Sequence, residues 1–334
     1  MRQAFAEINR RTAPPLSRGF TLAECWAWFR YFPALADRQD LRLREEWTDL
    51  DPHQKTILSD DFGVGITMLL LGEALDLTSV CQTGYFLSQV QAGEAYLKRS
   101  GRRGPSKSPD FVALDRAGSY HVIECKGTQS DRATLRNQLS GGIAQKQNIV
   151  LAKLTRGESL VAGCFVPQWT SQEAACLEIW DPEPYRPIQI DLEVEDVIEI
   201  LMRGQLASQL HSVGLPTLGN RVAQRERTHA LQDPAVQREL EPFTIRERDG
   251  RRYRARDVSL PIGDIREGQR RPYRIKVSFA IDEEMLQAVG STNQPLHRLR
   301  FPDRIRRDRL RATEVSAAIE DDLGFETEIH VDEG

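Results

Sequence analysis

The segment that most constrains the fold of this chain is PDFVALDRAGSYHVIECKG, residues 109–127. Two β-rich runs, Phe111 to Leu114 and Tyr120 to Cys125, flank a turn signal at Arg116-Ala117-Gly118. That pattern predicts a β-hairpin. Side chains alternate across a strand, so Glu124 and Lys126 share one side and Cys125 takes the other. The turn sets the register. A loop with an odd number of residues, for instance three with Gly118 in the left-handed conformation, places Asp110 directly opposite Glu124. Directly paired residues have Cβ atoms about 4.5–5.5 Å apart. Two carboxylates that close repel, and a divalent cation between them relieves the repulsion. An oxygen cage of this kind suits Mg²⁺ or Mn²⁺, with water and a substrate phosphate completing the shell. Lys126, on the same side, can orient or deprotonate an attacking water or neutralise charge building on a phosphate. Asp110, Glu124 and Lys126 are therefore the candidate catalytic residues of a phosphodiesterase, with Asp110 and Glu124 as metal ligands.

The elements around the hairpin follow an order. Ser59 is a candidate N-cap for a helix over residues 59–77, with Asp60 and Asp61 in the first turn where negative charge suits the helix dipole. A strand is expected within residues 78–90, a helix over 132–154 with an interruption at Gly141-Gly142, and strands over 159–166 and 174–180. Val194 to Leu210 alternates in helical fashion. Helix, strands, helix, strands implies an α/β fold with a mixed central sheet flanked by helices. Upstream, residues 1–58 read as a helical region in which Thr21 and Glu24 form a capping-box pattern and Trp26, Trp28, Phe29 and Tyr31 supply core. After Gly214 arginine rises and the apolar pattern thins. Arg251 to Val258 and Tyr273 to Ile281 read as strands, and Asp282 to Val289 as a short helix. The expected division is a helical region over 1–58, a core over 59–214, an arginine-rich α+β domain over 215–319 and an acidic tail over 320–334. The tail carries seven acids in its last fifteen residues, which reads as a frayed or weakly attached end.

Pro109-Asp110, a gap of thirteen residues, then Glu124-Cys125-Lys126 resembles the motif of the PD-(D/E)xK nuclease superfamily, the restriction-endonuclease-like proteins. The resemblance covers roughly residues 59–180, where the element order also matches. It implies a restriction-endonuclease-like core in which Asp110 and Glu124 bind Mg²⁺ (or Mn²⁺), the backbone carbonyl of Cys125 adds a ligand and Lys126 is the catalytic lysine. Many members add an acid from the first core helix. Asp61 is the best-placed candidate, with Asp60 and Glu73 behind it, although first-turn dipole compensation explains Asp61 as well. Some branches carry Gln-x-x-x-Tyr in the following helix. Gln138 and Gln145 are present here with no Tyr four residues later, which points away from the exonuclease branch. Gln145 remains a supporting residue that can touch phosphate or the attacking water, against the plainer reading of a solvated helix face. The implied activity is a Mg²⁺-dependent deoxyribonuclease, an endonuclease of bacterial restriction or anti-phage defence, working as a homo-oligomer or with a partner protein. The competing classes are a non-catalytic nucleic-acid-binding or assembly module that keeps the fold, and a transposition or repair endonuclease.

Composition narrows the setting. No run approaches the roughly 18 apolar residues of a membrane span, and no apolar segment follows Arg2, Arg10 and Arg11, so no membrane partner and no export are expected. The five cysteines form no CxxC pair, which argues against a disulfide framework or a structural zinc and for a cytoplasmic location. The net charge of -4 conceals an uneven distribution, because Arg221 to Arg311 holds 22 Lys+Arg against 14 Asp+Glu. A mildly acidic chain can thus present a basic face to nucleic acid. The loop bearing Arg102, Arg103 and Lys107 leads into the hairpin and is the candidate nucleic-acid contact. His121, mid-strand among apolar neighbours, is expected to be a satisfied core histidine.

Overall fold

The architecture is that of a computed structural model, which describes residues 31, 34–36, 41–89, 95–97, 108–146, 149–151, 156–181, 194–248, 250–266, 269–292, 294–299, 310–312, 316–320 and 325–333. The aromatic cluster expected at Trp26 to Phe29, the basic loop with Arg102, Arg103 and Lys107, and most of the arginine run after Leu299 lie outside these residues. The chain divides into two compact units, and the division falls inside a helix, between Gln205 and Leu206.

The first unit begins with α1 (Pro52–Ala74), β1 (Leu77–Gln82), α2 (Thr83–Gln89) and β2 (Ala95–Leu97). It continues with β3 (Phe111–Asp115), β4 (Tyr120–Thr128), α3 (Arg132–Lys146), β5 (Ile149–Leu151), β6 (Arg156–Phe165) and β7 (Cys176–Trp180). Five strands form one mixed sheet in the order β1-β3-β4-β6-β7. β4 and β6 are parallel and the other neighbours antiparallel. A parallel pair needs a crossover, and α3 lies in it. β2 and β5 make a separate two-stranded ribbon.

The two faces of β4 explain how the sheet is covered. Ile123 and Cys125 join Met68 and Leu71 of α1, Val80, Phe111, Ala113, Leu160 and Ala162 in one buried cluster. On the opposite face Val161 and Phe165 pack against Leu135 and Leu139 of α3. Helices thus cover both faces, which is the condition for burying a strand that reads YHVIECKGT with eight of its nine residues buried.

α1 starts earlier than its sequence pattern indicates. Asp51 is the N-cap, its carboxylate accepting from the N–H groups of His53 and Gln54, with Pro52 at the first helical position. Ser59 is therefore no cap. It sits two turns inside the helix, its hydroxyl donating to the Lys55 carbonyl at 2.8 Å, and Asp60 and Asp61 are not first-turn residues. The other departures are of length. The strand expected over 78–90 ends at Gln82 and α2 follows. α3 ends at Lys146 instead of 154 and runs through Gly141-Gly142 unbroken. Asp131 caps it by accepting from Thr134 N–H.

α4 (Val194–Ser212) carries the chain across the division, and Gln205 accepts a hydrogen bond from Val80 N–H on the edge strand β1. The second unit contains α5 (Pro216–Ala223), α6 (Pro234–Leu240), β8 (Thr244–Arg248), β9 (Arg251–Arg266), β10 (Gln269–Asp282), α7 (Glu283–Ser291), β11 (Leu310–Ala312), β12 (Ser316–Glu320) and β13 (Phe325–Glu333). Its antiparallel sheet runs β11-β12-β13-β10-β9-β8. The acidic tail is consequently not a frayed end. Phe325 to Glu333 pairs along β10 from Ile281 to Tyr273, and the anchor is Phe325, 1% exposed beside Ile281. Part of the arginine cluster is neutralised locally. Asp257 accepts from Arg246, Lys276 and Ser278, and these contacts hold its carboxyl far below the usual range although burial works the other way. Among the described residues no helix is long and apolar enough to cross a membrane.

Candidate active site

The hairpin turn decides where the two acids stand. Asp115 N–H bonds the Ser119 carbonyl and Gly118 N–H the Asp115 carbonyl, which closes a loop of three residues with Gly118 at φ +84°. The register then runs Leu114↔Tyr120 to Phe111↔Ile123, and the next position in line pairs Asp110 with Glu124. The ladder stops there for a covalent reason. The next hydrogen-bonded pair in the series is residue 109 with 125, and Pro109 has no N–H to give. The Asp110 carboxylate takes over instead, accepting from Cys125 N–H at 2.8 Å, while its carbonyl accepts from Thr83 N–H.

Glu124 pairs with Val161 on β6 and so lies on the α3 face of the sheet. Its side chain is fully buried. One carboxylate oxygen, Oε1, accepts from Lys126 Nζ, and the other, Oε2, is buried with no hydrogen-bond partner. The Lys126 amine also donates to Gln145 Oε1 at 3.0 Å. α3 can come this close because of Gly142. A Cβ there would stand 2.7 Å from Val161 Cγ1, 3.2 Å from Glu124 Cγ and 3.4 Å from Lys126 Cε. One turn of helix later, Gln145 reaches the amine.

The other face of β4 at this point is held by two more glycines. A Cβ on Gly127 would be 1.8 Å from the Ser59 carbonyl oxygen, and one on Gly63 would be 2.6 Å from the Lys126 carbonyl. Helix and strand backbones therefore touch directly behind the site. This contact brings the α1 acid into range. Asp60 is an α1 acid whose carboxyl feels the Lys126 charge and in turn acts on Asp110.

The electrostatics are those of crowded acids. Burial pushes Glu124 up to about 7, and the Asp110 charge adds to this against the pull of Lys126. Burial also raises Asp110, opposed by the Cys125 N–H and by Lys126. Asp60 is raised by burial, with Lys126 opposing. Crowded, buried acids, one of them with a carboxylate oxygen lacking a hydrogen-bond partner, are a setting in which a cation relieves the repulsion.

Two carboxylates and a backbone carbonyl are a hard-oxygen donor set, suited to an ion that keeps water or substrate oxygens in its shell. Among the described residues no group of three or more His, Cys, Asp or Glu is arranged to hold a metal ion. The orphaned Oε2 of Glu124 is the observation that fits an incoming cation. His121 serves structure: Glu158 N–H donates to its Nδ1 and its Nε2 faces Asp115 Oδ2 at 3.1 Å. Cys125 faces the α1 core.

The sequence pattern places Asp110, Glu124 and Lys126 together and offers Gln145 as a supporting candidate, and the structure brings these four together. Asp60, a second choice behind Asp61 in the sequence, lies in electrostatic range of the site, while the roles of Gly63, Gly127 and Gly142 escaped that pattern. The small residues on α1 and α3 were the available clue, since close helix–strand contact needs them. Comparison with protein-family models, with curated proteins and with solved structures finds no match to this chain.

Proposed function

We propose that the chain is a metal-dependent phosphodiesterase acting on nucleic acid, with DNA as the substrate. The observation that carries the reading is the pairing of Asp110 with a fully buried Glu124 that has one oxygen on Lys126 and the other without a partner. Such a carboxylate is costly to keep unless a cation repays it. Asp110 and Glu124 would hold Mg²⁺ or Mn²⁺, with the Cys125 carbonyl alongside. The ion supplies a lowered pKa for bound water and a polarised phosphorus–oxygen bond. Lys126 presents an amine on the same strand face, where it can orient the attacking water and balance charge growing on the phosphate. Gln145 fixes that amine from α3.

The purified chain is expected to nick or linearise supercoiled plasmid DNA with Mg²⁺ or Mn²⁺ and to leave it intact with a chelator. Retention of DNA without cleavage in both conditions assigns the chain to the binding-module class instead. Gln145 gives a finer test. Gln145→Met removes the acceptor at nearly constant volume, and kcat is expected to fall about ten- to a hundredfold with KM little changed. Gln145→Glu keeps an acceptor at the same reach and is expected to recover most of the loss. A change confined to KM would assign Gln145 to substrate binding.

A further inference from the structure

We propose that the Lys126 amine is the resident counter-charge at the cation position of Glu124, and that a divalent cation binds by displacing it. The identity of the cation rests on the nuclease reading above, while the displacement rests on geometry alone. Glu124 is fully buried, and its Oε1 is occupied by the Lys126 amine. A buried carboxylate needs a partner charge, and the amine serves as one from only two residues along the same strand. Two features let it leave. The Lys126 side chain is 23% exposed, whereas that of Glu124 is fully buried, so the lysine side chain has contact with solvent that the carboxylate lacks. Gln145 Oε1 at 3.0 Å offers a second acceptor, so release from Glu124 does not strand it. Oε2 is buried without a hydrogen-bond partner and so has no competing donor to give up, and full use of the carboxylate by an ion requires Oε1 as well.

A lysine that only braces its neighbours and a lysine that occupies the ion's place predict opposite signs. Removing a brace loosens the acids and weakens ion binding. Removing an occupant frees Oε1 and takes away a positive charge that repels the ion.

The test is Mn²⁺ binding to the full chain without DNA, read from the free-Mn²⁺ electron paramagnetic resonance signal at one alkaline pH. Lys126→Met and Lys126→Gln are both measured, so that a folding defect in one leaves the other, and folding is checked by circular dichroism. Both variants are expected to bind Mn²⁺ about tenfold tighter than wild type or better. Glu124→Gln is expected to lose the site, which locates the ion. Equal or weaker binding in the lysine variants, with binding intact in wild type, overturns the displacement and leaves the nuclease reading standing. No Mn²⁺ binding in wild type or in either lysine variant overturns both.

Discussion

Glu124→Gln is expected to abolish metal-dependent cleavage, by about a thousandfold or more, and at the same time to raise the melting temperature in mildly alkaline buffer. The loss of activity follows from removing the buried charge that holds the ion. The gain in stability follows from the same charge. Glu124 titrates at about 7 in the folded chain against an ordinary 4.5. A carboxyl raised in this way contributes stability in full below about pH 4.5 and loses it as the pH rises through about 7. Above that range wild type carries a buried carboxylate with a partnerless oxygen, whereas the amide is neutral and still offers an oxygen to Lys126. Thermal melts across that pH range are expected to show a drop in wild type that the variant lacks, on the order of 2 kcal/mol or a few degrees. Added Mg²⁺ is expected to recover the drop in wild type only. A variant that cleaves as well as wild type removes Glu124 from the chemistry, and one that melts lower at alkaline pH contradicts the cost assigned to its charge.

Gly127→Ala is expected to be among the most destabilising single-methyl changes in the first unit, at about 3–5 kcal/mol. The added Cβ would lie 1.8 Å from the Ser59 carbonyl oxygen and 3.0 Å from Gly63 Cα. Both are backbone atoms, so no side-chain rotation relieves the overlap. α1 must move off β4, taking Asp60 from the site and opening the cluster around Met68, Ile123 and Cys125. Denaturant unfolding measures the cost, and a loss of soluble protein is the extreme outcome. Gly141→Ala is the matched control. Nothing lies within 4 Å of its added Cβ, it sits inside α3, and the substitution is expected to stabilise by about 0.5–1 kcal/mol. A similar loss for both variants refutes the close contact as the cause.

Much of the site was legible because it is local. Asp110, Glu124 and Lys126 lie on one hairpin, and strand alternation with a three-residue turn fixes their sides and register within seventeen residues of chain. The division of charged and apolar residues along β4 carried the same information. The beginning of α1 was legible too, in Asp51-Pro52, but Ser59-Asp60-Asp61 offered a competing cap pattern. Choosing that cap put Asp60 and Asp61 in a first turn they do not occupy. The tail misled in a similar way. Its seven acids read as a frayed or weakly attached end, yet Phe325 and the alternation that follows it pair with β10.

By itself the sequence determined what chain-local physics controls: the hairpin, the shared side of Glu124 and Lys126, and the helical and extended runs around them, with the register following once the turn holds three residues. Tertiary structure alone decided which distant groups meet there. Asp60 reaches the site through the phase and closeness of α1 against Gly127, and Gln145 through the approach of α3 at Gly142. These depend on how two helices dock on opposite faces of one strand. Docking is set by the summed shape of many side chains, and by the absence of three, so no short window of sequence encodes it.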